Sequence, residues 1–152
     1  MAIRLAAMAD VPGITTLVQR YWEFERIEGF EGARIDALLR GLLTQPQRGA
    51  CWVADTEGRL HGYLIASFMF SLEHGGLMAE IDEVFVMQNR RSAGIGSLLV
   101  AQAERDLARR GLVRLQLQLG VGNDRARAFY EKRGFRRRAG YELLDKALEA
   151  KS

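Results

Sequence analysis

Gln88-Asn-Arg-Arg91-Ser-Ala-Gly94-Ile-Gly96-Ser-Leu-Leu99 decides how the rest of this 152-residue chain is read. An apolar run, Ile81 to Val86, leads into it as a strand, and an amphipathic pattern leads out of it as a helix. The two glycines remove β-carbons at the junction, so backbone N–H groups can come close to a ligand. A helix starting there adds its unpaired N–H groups and the positive end of its dipole. Such a junction favours an anion, above all a phosphate or pyrophosphate.

The nucleotide loops do not fit. A Walker loop needs Gly-Lys-Ser/Thr at its end, whereas Gly96 is followed by Ser97-Leu98. A dinucleotide fingerprint needs a third glycine where Leu99 stands. The pattern that remains, Arg91-x-x-Gly94-x-Gly96, resembles the acyl-CoA pyrophosphate loop of the GNAT superfamily of N-acetyltransferases. A second stretch, Asn123-Asp-Arg-Ala126-Arg-Ala-Phe129-Tyr130-Glu-Lys-Arg-Gly134-Phe135, resembles that family's second signature. The two motifs stand in the family's order and at its usual separation.

Length and composition agree with one globular domain over residues 1–152, large enough for a proper core. The longest apolar stretch, Tyr63 to Phe70, is too short to span a bilayer, and the N-terminus lacks a signal-peptide pattern. A lone cysteine, Cys51, excludes an intrachain disulfide framework and a cysteine-based zinc site. The expected location is the cytoplasm, with no membrane partner. Charge is divided along the chain. Residues 1–89 hold 7 Lys/Arg against 12 Asp/Glu, and residues 90–152 hold 15 against 7. A basic second half suits the phosphates of CoA, and an acidic first half suits a cationic amine. The arginine clusters lack interleaved aromatic residues, so no nucleic-acid partner is expected. His61 and His74 are isolated from other ligand types, so no metal is assigned.

The periodicities predict a short strand at Ile3–Leu5 and a helix entered through Asp10 as N-cap, with Pro12 in its first turn. A second helix carries Ile35, Leu38, Leu39, Leu42 and Leu43 and ends near Pro46. Strands are expected at Ala50–Ala54 and Leu60–Phe70, joined by a hairpin at Thr56–Arg59. Ser71–Leu77 reads as a loop. A central strand, Glu80–Val86, precedes the glycine loop and a helix from Gly96 to Arg110. A strand Val113–Leu119, a helix Asp124–Arg133 and two last strands, Phe135–Arg138 and Tyr141–Ala147, complete the order. That order is α/β, or α+β. It matches the GNAT fold: a mixed, mostly antiparallel sheet of about seven strands. Helices cover both faces, and two central strands splay apart.

The resemblance implies acetyl-CoA as co-substrate and roles for particular residues. Backbone N–H groups of Ser92, Ala93, Gly94, Ile95, Gly96 and Ser97 would hold the pyrophosphate, with Arg91 beside it. Val84, Phe85 and Val86 would pair with the pantetheine arm as with an added strand, and an N–H there would polarise the thioester carbonyl. Asn123 would bond the pantetheine arm. Tyr130 would protonate the departing thiolate as general acid, although without the motif it would read as a core aromatic. A homodimer is also implied.

The base must come from the residues themselves. Ala79-Glu80-Ile-Asp82-Glu83-Val-Phe-Val86 places three carboxylates in four residues of a strand, where Asp and Glu are normally depleted. Strict alternation puts Glu80 and Asp82 on one face and Glu83 on the other with Ile81 and Phe85, unless a bulge intervenes. Glu80 and Asp82 are the expected amine-site carboxylates, with Glu83 in reserve; crowding raises their pKa values toward neutrality. Glu23, Glu25, Glu28 and Glu31 surround the first helix–loop junction and could recruit a cation. Trp22, Phe24 and Phe30 could line an apolar pocket beside it. The expected activity is direct acetyl transfer from acetyl-CoA to a primary amine of a small molecule. Glu83-Val-Phe-Val-Met together with Gly-Ile-Gly-Ser also resembles the polyamine-acetylating branch. Gln88 in place of a common proline, and Arg91-Ser-Ala in place of Arg-Gly-Lys/Gln, remove no backbone donor. The alternatives are a peptide or ribosomal-protein N-terminal acetyltransferase and a non-catalytic acyl-CoA sensor.

Overall fold

The structure, a computed structural model, describes residues 1–150, and of Ser92 the backbone alone. It divides into two compact units, the first Met1–Gln118 and the second beginning at Leu119. The first unit contains β1 (Ala2–Leu5), a 3₁₀ turn (Met8–Asp10), α1 (Val11–Glu25) and α2 (Gly32–Leu43). It continues with β2 (Gly49–Thr56), β3 (Arg59–Ser71), β4 (Gly76–Val86), a second 3₁₀ turn (Gln88–Ala93), α3 (Ile95–Arg109) and β5 (Leu115–Leu117). The second unit holds α4 (Asp124–Glu131).

The five strands lie in the order β1-β2-β3-β4-β5, antiparallel as far as β4 and parallel between β4 and β5. Cross-strand partners share a face. Val53, Tyr63 and Phe85 therefore form one row across the sheet, and Trp52, Leu64 and Val84 form a row on the other side. Val11, Ile14, Leu17 and Val18 of α1, with Ile35 and Leu39 of α2, bury the first row. α3 covers the opposite face through Ile95, Leu99, Val100, Ala103 and Leu107, all buried. Its Asp106 accepts a hydrogen bond from Nε1 of the fully buried Trp52 at 2.8 Å. Helices on both faces of a mostly antiparallel mixed sheet are what the sequence predicted.

The β2–β3 hairpin turns through Glu57 (φ 51°) and Gly58 (φ 85°), both left-handed as a two-residue hairpin loop of this twist requires. Gly62 permits the close approach of β4 to β3. A β-carbon there would lie 2.8 Å from the Phe85 carbonyl oxygen.

Several expectations need correction. The loop between β3 and β4 is shorter than the one predicted at Ser71–Leu77, because Phe70 pairs with Leu77 and Ser71 with Gly76. Asp10 does not cap α1 through its side chain. Its carboxylate accepts from the Ala7 N–H at 2.7 Å and pairs with Arg4, which also bridges to Asp55. β5 is three residues long, not seven. Residues 132–150 form no helix or strand, so the two final strands are absent among the described residues and the sheet has five strands, not seven. The composition explains this. From Gly122 onward the chain has no Val, Ile or Thr, and three consecutive arginines interrupt the first expected strand. Leu143, Leu144, Ala147 and Leu148 are spaced as on a helix rather than alternating as on a strand.

Candidate active site

The carboxylates of β4 are arranged by a bulge. Ile65 of β3 pairs with Glu83, and the next residue, Ala66, pairs with Ile81, so Asp82 is the extra residue. The alternation therefore resets at Asp82. Glu80, opposite Ser67, and Glu83, opposite Ile65, fall on the same face, that of α1 and α2, while Ile81 goes to the α3 face. The strict alternation expected from sequence would have separated Glu80 from Glu83.

The three carboxylates have different surroundings. Glu83 is half-buried and both its oxygens are engaged: Oε1 accepts from the Tyr63 hydroxyl at 2.8 Å and Oε2 from Trp22 Nε1 at 2.9 Å. Burial raises its pKa above the usual carboxylate range, the two donors pull against that, and the Asp82 charge adds to the rise. Glu80 Oε1 accepts from the side-chain amides of Gln116, in β5, at 2.8 Å and of Gln118, just after it, at 3.3 Å. Asp82 accepts no hydrogen bond among the described residues. It is exposed as a residue, yet its carboxyl group loses part of its hydration to surrounding atoms. That desolvation, followed by the Glu80 charge, raises its pKa. Trp22 and Tyr63 are the donors that the sequence reading missed. The signal for them was a glutamate in a strand otherwise destined for burial, which needs donors from elsewhere.

The same strand has an open edge. β5 follows β4 only as far as Ile81, opposite Leu117, whereas β3 follows it to Val86, opposite Gly62. Beyond Ile81 no strand pairs with the second edge of β4 among the described residues. Val84, Phe85 and Val86 lie on that stretch. β4 then runs into the 3₁₀ turn and Gly94, whose φ of 73° is left-handed and suits glycine. The first bond of the α3 ladder is Leu98 N–H to Gly94 O at 3.1 Å, so the N–H groups of Ile95 and Gly96 precede the ladder. Ala93 ends the turn, and Ser97 is in the first turn of α3.

Arg91 does not extend from this turn as a lone cation. Its Nε donates to Val86 O at 3.0 Å, and its guanidinium lies 4.5 Å from the centre of the Phe24 ring and 5.5 Å from that of Phe85. Phe30 packs edge-on to Trp22 and against the α1–α2 core. Glu23, Glu25 and Glu28 are exposed around the end of α1.

In the second unit, Asn123 is the N-cap of α4: its Oδ1 accepts from the Ala126 N–H at 3.2 Å. Tyr130, on the same helix, is flanked edge-on by Phe129 and Phe135. Burial raises its phenol pKa, and Arg133 opposes the rise. Among the described residues no group of three or more His, Cys, Asp or Glu is placed to hold a metal, and no helix is long and apolar enough to cross a membrane.

Comparison with known proteins agrees with this geometry. The family model described as Acetyltransferase (GNAT) family matches residues 12–135. The Bacillus subtilis (strain 168) protein named Uncharacterized N-acetyltransferase YhfO is 28% identical over 142 residues, covering 93% of each chain. An integron cassette protein from the mobile metagenome of Cole Harbour Salt Marsh superposes with a TM-score of 0.84 at 25% identity, over 97% of this chain and 91% of its own. An aminoglycoside acetyltransferase from an uncultured soil metagenomic sample, solved in complex with sisomicin, gives a TM-score of 0.79 at 19% identity over 97% and 96%. At that identity the likeness is one of fold. With most of its length matched by the family model, the chain belongs to the GNAT acetyltransferase family and is an acetyl-CoA-dependent N-acetyltransferase.

Proposed function

We propose that this enzyme transfers the acetyl group of acetyl-CoA directly to a primary amine of a small molecule. The observation that carries the reading is β4 itself. Among the described residues its edge beyond Ile81 has no strand partner, its end feeds the glycine turn, and its bulge presents Asp82. The open edge at Val84–Val86 would accept the pantetheine arm as a strand, and the α3 N-terminus at Ile95–Ser97 would take the pyrophosphate.

Asp82 is the proposed base. Among the described residues no hydrogen-bond donor holds it anionic, and its raised pKa suits proton uptake from an ammonium nearer neutrality. Glu80, held by two glutamine amides, supplies a fixed negative charge beside it. Glu83, with both oxygens engaged, serves as framework. In the reaction Asp82 takes a proton from the substrate ammonium, and the freed nitrogen attacks the thioester carbonyl. A backbone N–H on the open edge stabilises the oxyanion. The C–S bond then breaks, and Tyr130 gives its proton to the thiolate. That role, and the contact of Asn123 with pantetheine, rest on the family resemblance. Arg91 fixes the turn through its Nε bond to Val86 O. Glu23, Glu25, Glu28 and Phe30 form the proposed acceptor entrance.

That aminoglycoside acetyltransferases share the fold is consistent with a small amine as acceptor. A homodimer rests on resemblance alone, and light scattering tests it. The decisive assay is thiol release from acetyl-CoA against a panel of amino acids, polyamines, aminoglycosides and peptide N-termini. One small-molecule class should turn over, and Tyr130→Phe should slow it without weakening acetyl-CoA binding. Turnover of peptides alone, or acetyl-CoA binding with no acetylation, overturns the reading.

A further inference from the structure

On the α1 side of the C-terminal end of β4, six residues line one open cleft within the first unit: Arg20 and Phe24 from α1, Phe85 and Met87, and Gln88 and Arg91 from the turn. Arg20 and Phe24 are one helical turn apart, so both project from the same side of α1. Arg91 is pre-set in the cleft by its Nε bond to Val86 O and by stacking on Phe24 and Phe85, which leaves its two terminal nitrogens as donors. Neither arginine makes an ion pair among the described residues, although the end of α1 is rich in glutamate.

Two exposed guanidinium groups line this one cleft, so it carries positive charge with no ion-pair partner among the described residues. A bound anion supplies that partner, and a planar guanidinium held at one edge is shaped for a carboxylate. The rings of Phe24 and Phe85 and the Met87 side chain would meet a flat or apolar body attached to that anion.

We propose that this cleft is an acceptor subsite for a carboxylate, so that preferred acceptors are amines carrying a carboxylate on an apolar or aromatic body rather than pure polycations. The proposal rests on the transferase reading above. The β4 carboxylates would take the ammonium and the arginine cleft the opposite charge of the same acceptor; Asp82 and Phe85 stand three residues apart on β4, so the two charges of such an acceptor lie about 10 Å apart. The phosphates of the acyl donor are the other source of a matching anion, and the test separates them.

Arg20→Met is the variant of choice, because Arg20 is exposed and its loss leaves no buried partner unpaired. 8-Aminooctanoate and 8-aminooctanamide differ at the carboxylate and leave the distant amine unchanged. The wild type should favour 8-aminooctanoate by about tenfold or more in kcat/KM, the size of one charge-assisted hydrogen bond, and R20M should lose that preference. Calorimetry on the acetyl-CoA-saturated protein supplies a readout without turnover: benzoate should bind the wild type but not R20M, and benzamide neither. Preference for the amide, or weakened acetyl-CoA binding in R20M with benzoate affinity intact, assigns the arginines elsewhere and overturns the proposal. If no amine is acetylated yet benzoate binding depends on Arg20, the subsite stands and the transferase reading falls. If amines turn over but benzoate is ignored, the subsite alone falls.

Discussion

Each face of the sheet carries a tryptophan that donates its indole N–H to a carboxylate, and the two pairs do different jobs. On the α3 face Trp52 is fully buried and bonds Asp106, which also accepts from Gln102 at 3.0 Å one turn away on its own helix. On the α1–α2 face Trp22 is half-buried and bonds Glu83, which lies next to the bulge and accepts a second bond from Tyr63. The first pair docks a helix on an apolar layer. The second holds a carboxylate on a strand that must keep one edge open. The same chemistry therefore reads as packing or as site framework according to what surrounds the acid, not according to the pair itself.

The largest contrast between the faces should appear in the rate. Asp82→Asn removes the proposed base on the α1–α2 side while leaving every hydrogen bond of Glu80 and Glu83 intact. Loss of general-base catalysis is expected to lower kcat by about a hundredfold or more. Acetyl-CoA affinity, followed by calorimetry, should be unchanged. A fall below threefold would assign the proton to another group. In the wild type, activity should decline as pH falls through the raised Asp82 pKa, because only the deprotonated carboxylate accepts the ammonium proton.

Trp52→Ala probes the opposite face. Removing a fully buried indole costs about 3–5 kcal/mol of stability by cavity formation and also strips Asp106 of a donor. Urea denaturation measures it. The activity of the molecules that remain folded should match wild type, since this side of the sheet holds no proposed reacting group.

How far the sequence could anticipate this contrast depends on the range of the interactions. The glycine turn, the α1 and α2 stripes and the β2–β3 hairpin were legible because each is written in one short consecutive stretch. The face assignments of the β4 carboxylates were not, since a period of two breaks silently when one residue bulges, and nothing local at Asp82 announces it. The partners of Glu83 lie 20 and 61 residues away, a distance over which only the fold brings donor and acceptor together. Trp22 and Phe24 were legible as candidate pocket aromatics. Their use as an indole donor and a stacking surface for Arg91 depends on where α1 crosses β4. The final strands were expected from the family order, against a tail whose composition disfavours strands.

Trp22→Phe should give a smaller effect than Trp52→Ala. The ring can still pack against Phe30, but Glu83 Oε2 loses its donor. A loss of about 1–2 kcal/mol is expected at pH above the raised Glu83 pKa, where the half-buried carboxylate is charged. The loss should shrink in acid, because a protonated Glu83 needs less help. An equal loss at both pH values would make Trp22 a packing residue like Trp52.

The smallest effect is a slope of stability with pH, and its sign at the β4 carboxylates is opposite to that at Asp10. Asp82 and Glu83 have folded pKa values raised above their ordinary ones. Between the ordinary carboxylate range near about 4 and those raised values the native state binds more protons than the unfolded chain, so stability falls as pH rises through that window. Asp10 behaves the other way. The hydrogen bond from Arg4 holds its carboxyl below the usual range, so its contribution is present above about pH 4 and is lost as pH falls through the lowered value. Denaturation midpoints across acid to neutral pH should therefore pass through a maximum in the mildly acid range. Asp82→Asn should flatten the descending limb, by removing one raised group and the charge that adds to the burial-driven rise at Glu83. Asp10→Asn should flatten the acid limb and leave the other in place. If Asp82→Asn left the descending limb unchanged, the β4 carboxylates would be too well hydrated to serve as a base tuned by burial, and the role proposed for the bulge would go with them.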